Sequence, residues 1–300
     1  MSILSALNHQ HLAVTASTNT QLIETIKAAR LDASIQHLLT ASAQSAGRGQ
    51  RGRQWQSPNG NVYLSLYLPM SLPLTGLLSL IVGHELALMP VIQEINQLRI
   101  QQNLPKIGVK WANDLGFYGN QSVSEETGDG SVITPLIFHK LSGILIEPVW
   151  QDGAMLGCVI GVGLNVVTTP LLTTQTREGM SYQAVSLKDF YLSADSQSIS
   201  AIPALSTLYE QIAQALLNAH QRFVDIMTAP DTIHEFLTAF AQVDALSGKR
   251  MQVTRQIQGS EEVLTGYASG IDCHGCLQLR LDDATLIPLF TGRIDVLTGP

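Results

Sequence analysis

Three arginines and three glycines crowd the segment Ala46-Gly47-Arg48-Gly49-Gln50-Arg51-Gly52-Arg53-Gln54-Trp55. A guanidinium brings charge and a planar fork of donors suited to carboxylate or phosphate, and glycine lets a backbone approach a ligand closely. The segment is therefore an anion-site candidate, although in isolation it also reads as a solvated basic turn. It is neither a Walker A sequence nor a GxGxxG dinucleotide fingerprint.

It does not stand in isolation. Lys110-Trp111-Ala112-Asn113-Asp114-Leu115 follows a strand pattern, and Lys140-Leu141-Ser142-Gly143-Ile144-Leu145-Ile146-Glu147 opens another. Together they would bring two ammonium groups and a carboxylate able to take a cation to one ligand. Separately, each lysine reads as a solvated strand end and Asp114 as a turn acceptor. Gly161-Val162-Gly163-Leu164-Asn165 adds a close-backbone stretch ending in an amide, and Ser17-Thr18-Asn19 alone reads as a helix cap.

The elements that must position these groups follow from periodicity. His11–Val14 and His37–Ala43 read as strands, with a helix between them that Ser17 or Thr18 can cap and whose apolar face includes Leu22, Ile23 and Ile26. Val62, Leu64, Leu66 and Leu68 alternate with Tyr63, Ser65 and Tyr67 as a strand. A long helix is expected within Pro73–Leu98, and strands at Ile107–Trp111, Ile137–Glu147 and Met155–Val162. Helices near Ser206–Asp225 and Asp231–Phe240 complete this part.

From Gly248 onward five short strands, Met251–Val253, Val263–Tyr267, Cys276–Leu281, Leu286–Phe290 and Ile294–Leu297, predict a small β-barrel. The fold class is thus α+β, a mixed-sheet domain over residues 1–245 and a barrel over 246–300. Gly119–Pro135 reads as a polar surface excursion. No repeat of 20 to 50 residues is evident.

The 300 residues are 45% hydrophobic, 14% charged and 6% aromatic, which indicates a folded chain with an aliphatic core. A net charge of -7 argues against nonspecific binding to nucleic acid or an anionic membrane. Met1–His11 has no basic and apolar leader pattern, so a cytoplasmic protein is expected. Leu74–Ile92 is apolar, but His84, Glu85 and Pro90 make it a buried helix rather than a span. Three cysteines, Cys158, Cys273 and Cys276, do not suggest a disulfide framework.

Taken in order, Ser17-Thr18-Asn19, Gln44 with the glycine–arginine loop, Lys110–Leu115, Lys140–Glu147, Gly161–Asn165 and the terminal barrel resemble the biotin-protein ligase family over nearly the whole chain. The resemblance implies a catalytic domain of the biotin/lipoate ligase kind and an SH3-like barrel. It also implies ATP and biotin as substrates, Mg2+, and a biotin carboxyl carrier protein whose lysine accepts biotin. Lys140, Arg48 and Lys110 would be catalytic. Ser17, Thr18, Asn19 and Gln44 would line the biotin side, with Gly47, Arg48, Gly49, Gln50, Arg51, Trp55, Lys110, Asn113, Lys140, Gly143 and Asn165 completing the pocket for biotin and its adenylate. Asp114 would be the Mg2+ ligand.

Two positions depart from the family pattern. Gln50 stands where arginine is common, and Ala112 where proline is common; the first removes a cation and the second a fixed φ. A lipoate-protein ligase is the alternative enzyme. A biotin-sensing repressor is disfavoured because the chain starts almost directly at the catalytic pattern, without an N-terminal helix-turn-helix. A zinc-held module on Cys273-His274-Gly275-Cys276 is disfavoured because one CxxC lacks a second ligand pair. Oligomeric state stays open, a homodimer included.

Overall fold

The computed structural model describes residues 2–119, 136–169, 182–193, 201–257 and 259–297. The excursion expected at Gly119–Pro135 lies, after Gly119, outside the described residues. Among the described residues the order is α1 (Ile3–Ala6), β1 (Gln10–Thr15), α2 (Thr18–Lys27), β2 (His37–Gln44), β3 (Val62–Pro69), α3 (Gly76–Ala87) and α4 (Pro90–Gln101). There follow β4 (Gly108–Lys110), β5 (Asp114–Gly119), β6 (Ile137–Gln151), β7 (Ala154–Leu164), β8 (Tyr182–Ala184), α5 (Leu187–Ser193), α6 (Leu205–Thr228) and α7 (Ile233–Ala241). The last five strands are β9 (Arg250–Ile257), β10 (Ser260–Ile271), β11 (Leu277–Arg280), β12 (Leu286–Leu289) and β13 (Arg293–Val296).

The first sheet is mixed, in the order β1-β2-β3-β7-β6-β5-β4, and β8 runs parallel to the start of β6. Its centre is covered on both faces. Val62, Leu64, Leu66 and Leu68 of β3 join the main core with α3 and α6, while Tyr67 packs with Leu22 and Ile26 of α2 on the other face. All four of those β3 residues on the α3/α6 side are fully buried, so truncating one of the three leucines to alanine would cost about 2–5 kcal/mol.

The long helix expected within Pro73–Leu98 is two helices, α3 and α4, bent by 68° where Pro90 opens the second. Proline has no N–H to continue the first helix but fits the first turn of the next. Every residue of α3 after Gly76 is buried. Among the described residues no single helix is long and apolar enough to cross a membrane. Strand β5 was not legible in the sequence, because Gly116 and Gly119 interrupt its apolar run. A bulge between Leu115 and Gly116 shifts its pairing with β6, and a Cβ on Gly116 would fall 2.1 Å from the His139 carbonyl oxygen.

The second sheet is antiparallel, in the order β12-β11-β10-β9-β13, consistent with the expected SH3-like barrel. Its core of Met251, Val253, Leu277, Leu279, Leu289, Ile294 and Val296 is continuous with Tyr118 and Phe138 of the first sheet. The two sheets therefore share buried apolar contacts beside the motif strands.

Candidate functional site

The loop between β2 and β3 folds back as an irregular hairpin, bridged at Gln44 with Ser57 and at Arg48 with Gln54. At its tip Arg51 and Gly52 both adopt left-handed φ, 57° and 73°. Glycine takes this conformation freely, whereas Arg51 does so at some cost. Arg51 is held there by donating from Nη2 to Thr291 Oγ1, in the connection between β12 and β13, at 2.5 Å. Gly47 lies at the base of this hairpin, between Gln44 and Trp55. A Cβ there would sit 2.4 Å from the Trp55 carbonyl oxygen, so Gly47 serves the close packing of the hairpin.

The hairpin returns Trp55 onto the sheet. Gly143 of β6 and Gly163 of β7 are register partners, and Cβ atoms on them would fall 2.9 and 2.6 Å from the indole ring. These two glycines leave a hollow in the sheet that the indole fills. Lys140 Nζ stands 5.3 Å from the same ring system.

Around this point lies a cavity of about 560 Å3, within the size range of small-molecule sites. Apart from Gly47, every residue expected at the site lines it, including Ser17, Gly49, Asn113 and Asn165. Among the described residues, six cationic side chains, Arg48, Arg51, Arg53, Lys110, Lys140 and Arg293, line it with one carboxylate, Asp114. In a chain of net charge -7, that local excess of positive charge favours an anionic ligand.

One wall of the cavity is a hydrogen-bond network at the start of α2. Ser17 occupies the cap position but its side chain makes no cap bond. Gln44 does so instead: its Oε1 accepts from the Thr18 N–H at 2.8 Å, and its Nε2 donates to Ser57 Oγ. Asn19 Nδ2 donates to Glu147 Oε2 and to the Leu145 carbonyl, and Ser65 Oγ lies 2.5 Å from Asn19 Oδ1. Glu147 also pairs with Arg48 Nη2 at 2.5 Å. Asn165 Nδ2 donates to the Val185 carbonyl, while its Oδ1 is buried without a partner among the described residues.

The opposite wall carries the charges. Lys140 Nζ is 2.7 Å from Asp114 Oδ1, an ion pair off the axis of a hydrogen bond. Tyr182 donates its hydroxyl to Asp114 Oδ2 at 3.3 Å. Lys110 is buried, with Nζ 4.4 Å from the Tyr182 ring and 4.9 Å from that of Phe138. Burial pulls its pKa down to about 8, with Lys140 and Arg53 acting the same way against Asp114 and Asp295. Asn113 Nδ2 donates to the Ile144 carbonyl, which pins the turn between β4 and β5 onto β6. The peptide bond between Trp111 and Ala112 is cis.

Residues 12–165 match the model of the Biotin/lipoate A/B protein ligase family. The chain belongs to that family. A relative described as the bifunctional ligase/repressor BirA of Salmonella typhimurium is 27% identical over 98% of this chain and 76% of its own length. A biotin--[acetyl-CoA-carboxylase] ligase of Mycobacterium tuberculosis is 28% identical over 92% of this chain and 84% of its own. The fold is that of a solved biotin protein ligase from Aquifex aeolicus in complex with biotin and ATP. That likeness has a TM-score of 0.61 at 17% identity and covers 96% of this chain and 98% of the other.

The family match ends at residue 165, yet the cavity does not. Tyr182 of β8, Phe290 and Gly292 of the connection between β12 and β13, and Arg293 and Ile294 of β13 also line it. None was foreseen. The adjacent Gly292-Arg293 pair, a single glycine beside a single arginine, was the available signal. Among the described residues Asp114 is the single carboxylate lining the cavity, and no group of three metal-ligating side chains is present. The described residues alone do not build a resident cation site.

Proposed function

We propose that the chain is a biotin-protein ligase that forms biotinyl-5'-AMP from biotin and ATP and transfers biotin to a lysine of a biotin carboxyl carrier protein. One observation carries this reading: a single cavity joins an amide- and hydroxyl-lined wall to a wall of lysines and arginines, with an aromatic ring on a glycine hollow between them. A ureido bicycle with a carboxylate tail, and then a phosphate, matches that gradient.

In the first step the biotin carboxylate attacks the α-phosphorus of ATP, a P–O bond to pyrophosphate breaks, and a mixed anhydride forms. Repulsion between two anions opposes this approach. Lys140 and Arg48 offset the charge on the carboxylate and Lys110 the charge on phosphate, which is where fixed cations lower a barrier most. In the second step the neutral amine of the carrier lysine attacks the anhydride carbonyl, and AMP leaves with the bonding electrons. The loop Arg48–Trp55 limits hydrolysis between the steps by excluding water.

Mg2+ accompanying ATP would be held by Asp114, the carboxylate among the described cavity residues, together with substrate phosphates, and would offset phosphate charge there. Ser17, Thr18, Asn19, Gln44 and Asn165 suit the ureido N–H and carbonyl groups, and Gly143 with Trp55 suits the apolar ring. The dithiolane of lipoate offers no such hydrogen bonds, and polar sites reject ligands that leave them unpaired. We place the division into two domains at residue 246, whose leucine side chain packs in the second core.

The test is transfer to separate biotin and lipoate carrier domains with ATP and Mg2+, followed by mass spectrometry. Biotin on one lysine of the biotin carrier is expected. Exclusive lipoyl transfer would overturn the specificity.

A further inference from the structure

Lys110 of β4 and Asp114 of β5 are direct register partners. Opposite charges set across from each other in a sheet ordinarily pair and neutralise one another. Here they do not. The carboxylate is drawn to Lys140, with Oδ1 2.7 Å from Nζ, and Lys110 joins no ion pair among the described residues although its side chain is buried.

A buried ammonium without an anion is costly unless other groups hold it. Two rings do so. Lys110 Nζ stands 4.4 Å from the centre of the Tyr182 ring and 4.9 Å from that of Phe138, distances at which the negative face of a ring attracts a cation. Strand β8 sets Tyr182 there as the register partner of Phe138, where it runs parallel to β6, and the two rings meet edge to face at 6.1 Å.

The same side chain also holds the other member of the pair. The Tyr182 hydroxyl donates to Asp114 Oδ2 at 3.3 Å. With Oδ1 at Lys140 and Oδ2 at Tyr182, neither oxygen is left for Lys110. Tyr182 thus contacts the ammonium through its ring and the carboxylate through its hydroxyl, and it lines the cavity between them.

We infer that Tyr182 is a positioning residue for nucleotide binding: it keeps Lys110 and Asp114 from pairing, so that the Lys110 charge is free to meet a phosphoryl group. The inference deepens the adenylating reading and rests on it. Without the hydroxyl, Asp114 Oδ2 is released to Lys110, and the cation is neutralised from within the protein before any ligand arrives.

The test is a double-variant cycle between Tyr182→Phe and Asp114→Asn, with Tyr182→Leu removing the ring as well. ATP is titrated by calorimetry without Mg2+, so that Asp114 acts through its own charge alone, and biotin is titrated separately. Thermal unfolding checks that each variant is folded. Tyr182→Phe should weaken ATP binding about tenfold, the scale of one charge-assisted contact, with biotin affinity within about twofold of the parent. In the Asp114→Asn background the same change should cost less than about twofold, because an amide cannot neutralise Lys110. Tyr182→Leu should cost more than Tyr182→Phe in both backgrounds, since Lys110 then loses the ring.

Unchanged ATP affinity in Tyr182→Phe, an equal loss for biotin, or the same loss in both Asp114 backgrounds would overturn the inference; the last is what a merely structural tyrosine gives. Equal losses in Tyr182→Phe and Tyr182→Leu would overturn the part assigned to the ring. These titrations need no turnover. A parent that binds ATP but forms no acyl-adenylate with biotin and MgATP would refute the ligase reading alone.

Discussion

The indole of Trp55 occupies the space that any side chain at Gly163 would need, with Cε2 2.6 Å and Nε1 2.7 Å from the position of a Cβ. The hairpin and the sheet are thus matched through one ring and one missing methyl. Gly163→Ala should displace Trp55 and weaken biotin binding roughly tenfold or more, the scale of overpacking at a tight contact. Biotin titration with tryptophan fluorescence would measure both effects. An unchanged affinity would remove Trp55 from the pocket assignment.

Lys140 is proposed to act on the reacting carboxylate, and its side chain is 23% exposed. Lys140→Ala should lower the rate of adenylate formation about 100-fold or more, as loss of a preorganised electrostatic contact does, with little loss of thermal stability. Stopped-flow pyrophosphate release and thermal unfolding on the same preparation decide the point. A folded variant with normal adenylation would exclude the role.

Lys110 supplies a pH signature of known sign. Its pKa in the fold is about 8 against an ordinary 10.5, chiefly through burial. Nucleotide affinity that depends on its charge should fall as pH rises through about 8. The unfolded chain binds more protons between those two values, so this group's contribution to stability rises across the same window. Lys110→Arg, charged throughout, should flatten the affinity profile. A parent profile that is flat from pH 7 to 9 would contradict the assignment.

The Arg51–Thr291 contact joins the hairpin tip to the connection between β12 and β13. Thr291→Val keeps the shape but removes the acceptor, so trapped biotinyl-adenylate should escape a few-fold faster. Rapid filtration in the absence of carrier would read the escape rate. An unaltered rate would mean that the contact does not govern retention.

Much of the site was readable because its groups lie within short motifs at the ends of strands. Lys110, Asp114, Lys140 and Gly143 converge because β4, β5 and β6 are neighbours, and an alternating pattern makes such strands visible. Strand β5 was hidden by its glycines, and the break at Pro90 by an apolar run continuous on both sides of it. Gly47 serves the close packing of the hairpin, a role whose sequence signature is the same as that of a glycine facing a ligand. Tyr182, Phe290 and Arg293 reach the cavity through packing between distant segments, which local periodicity does not encode. Gln44, expected as a ligand contact, lines the cavity while its amide also caps α2 and bonds Ser57, a second role that its sequence position did not announce.

The central claim is that this cavity makes an acyl-adenylate from biotin. The most direct measurement mixes the protein with biotin and MgATP in the absence of carrier, quenches after a single turnover, and identifies the products by mass spectrometry. The account predicts biotinyl-5'-AMP and pyrophosphate in stoichiometric amounts, with no acyl-adenylate when lipoate replaces biotin. ADP and phosphate as products, or no acyl-adenylate from folded protein that binds both substrates, would contradict it.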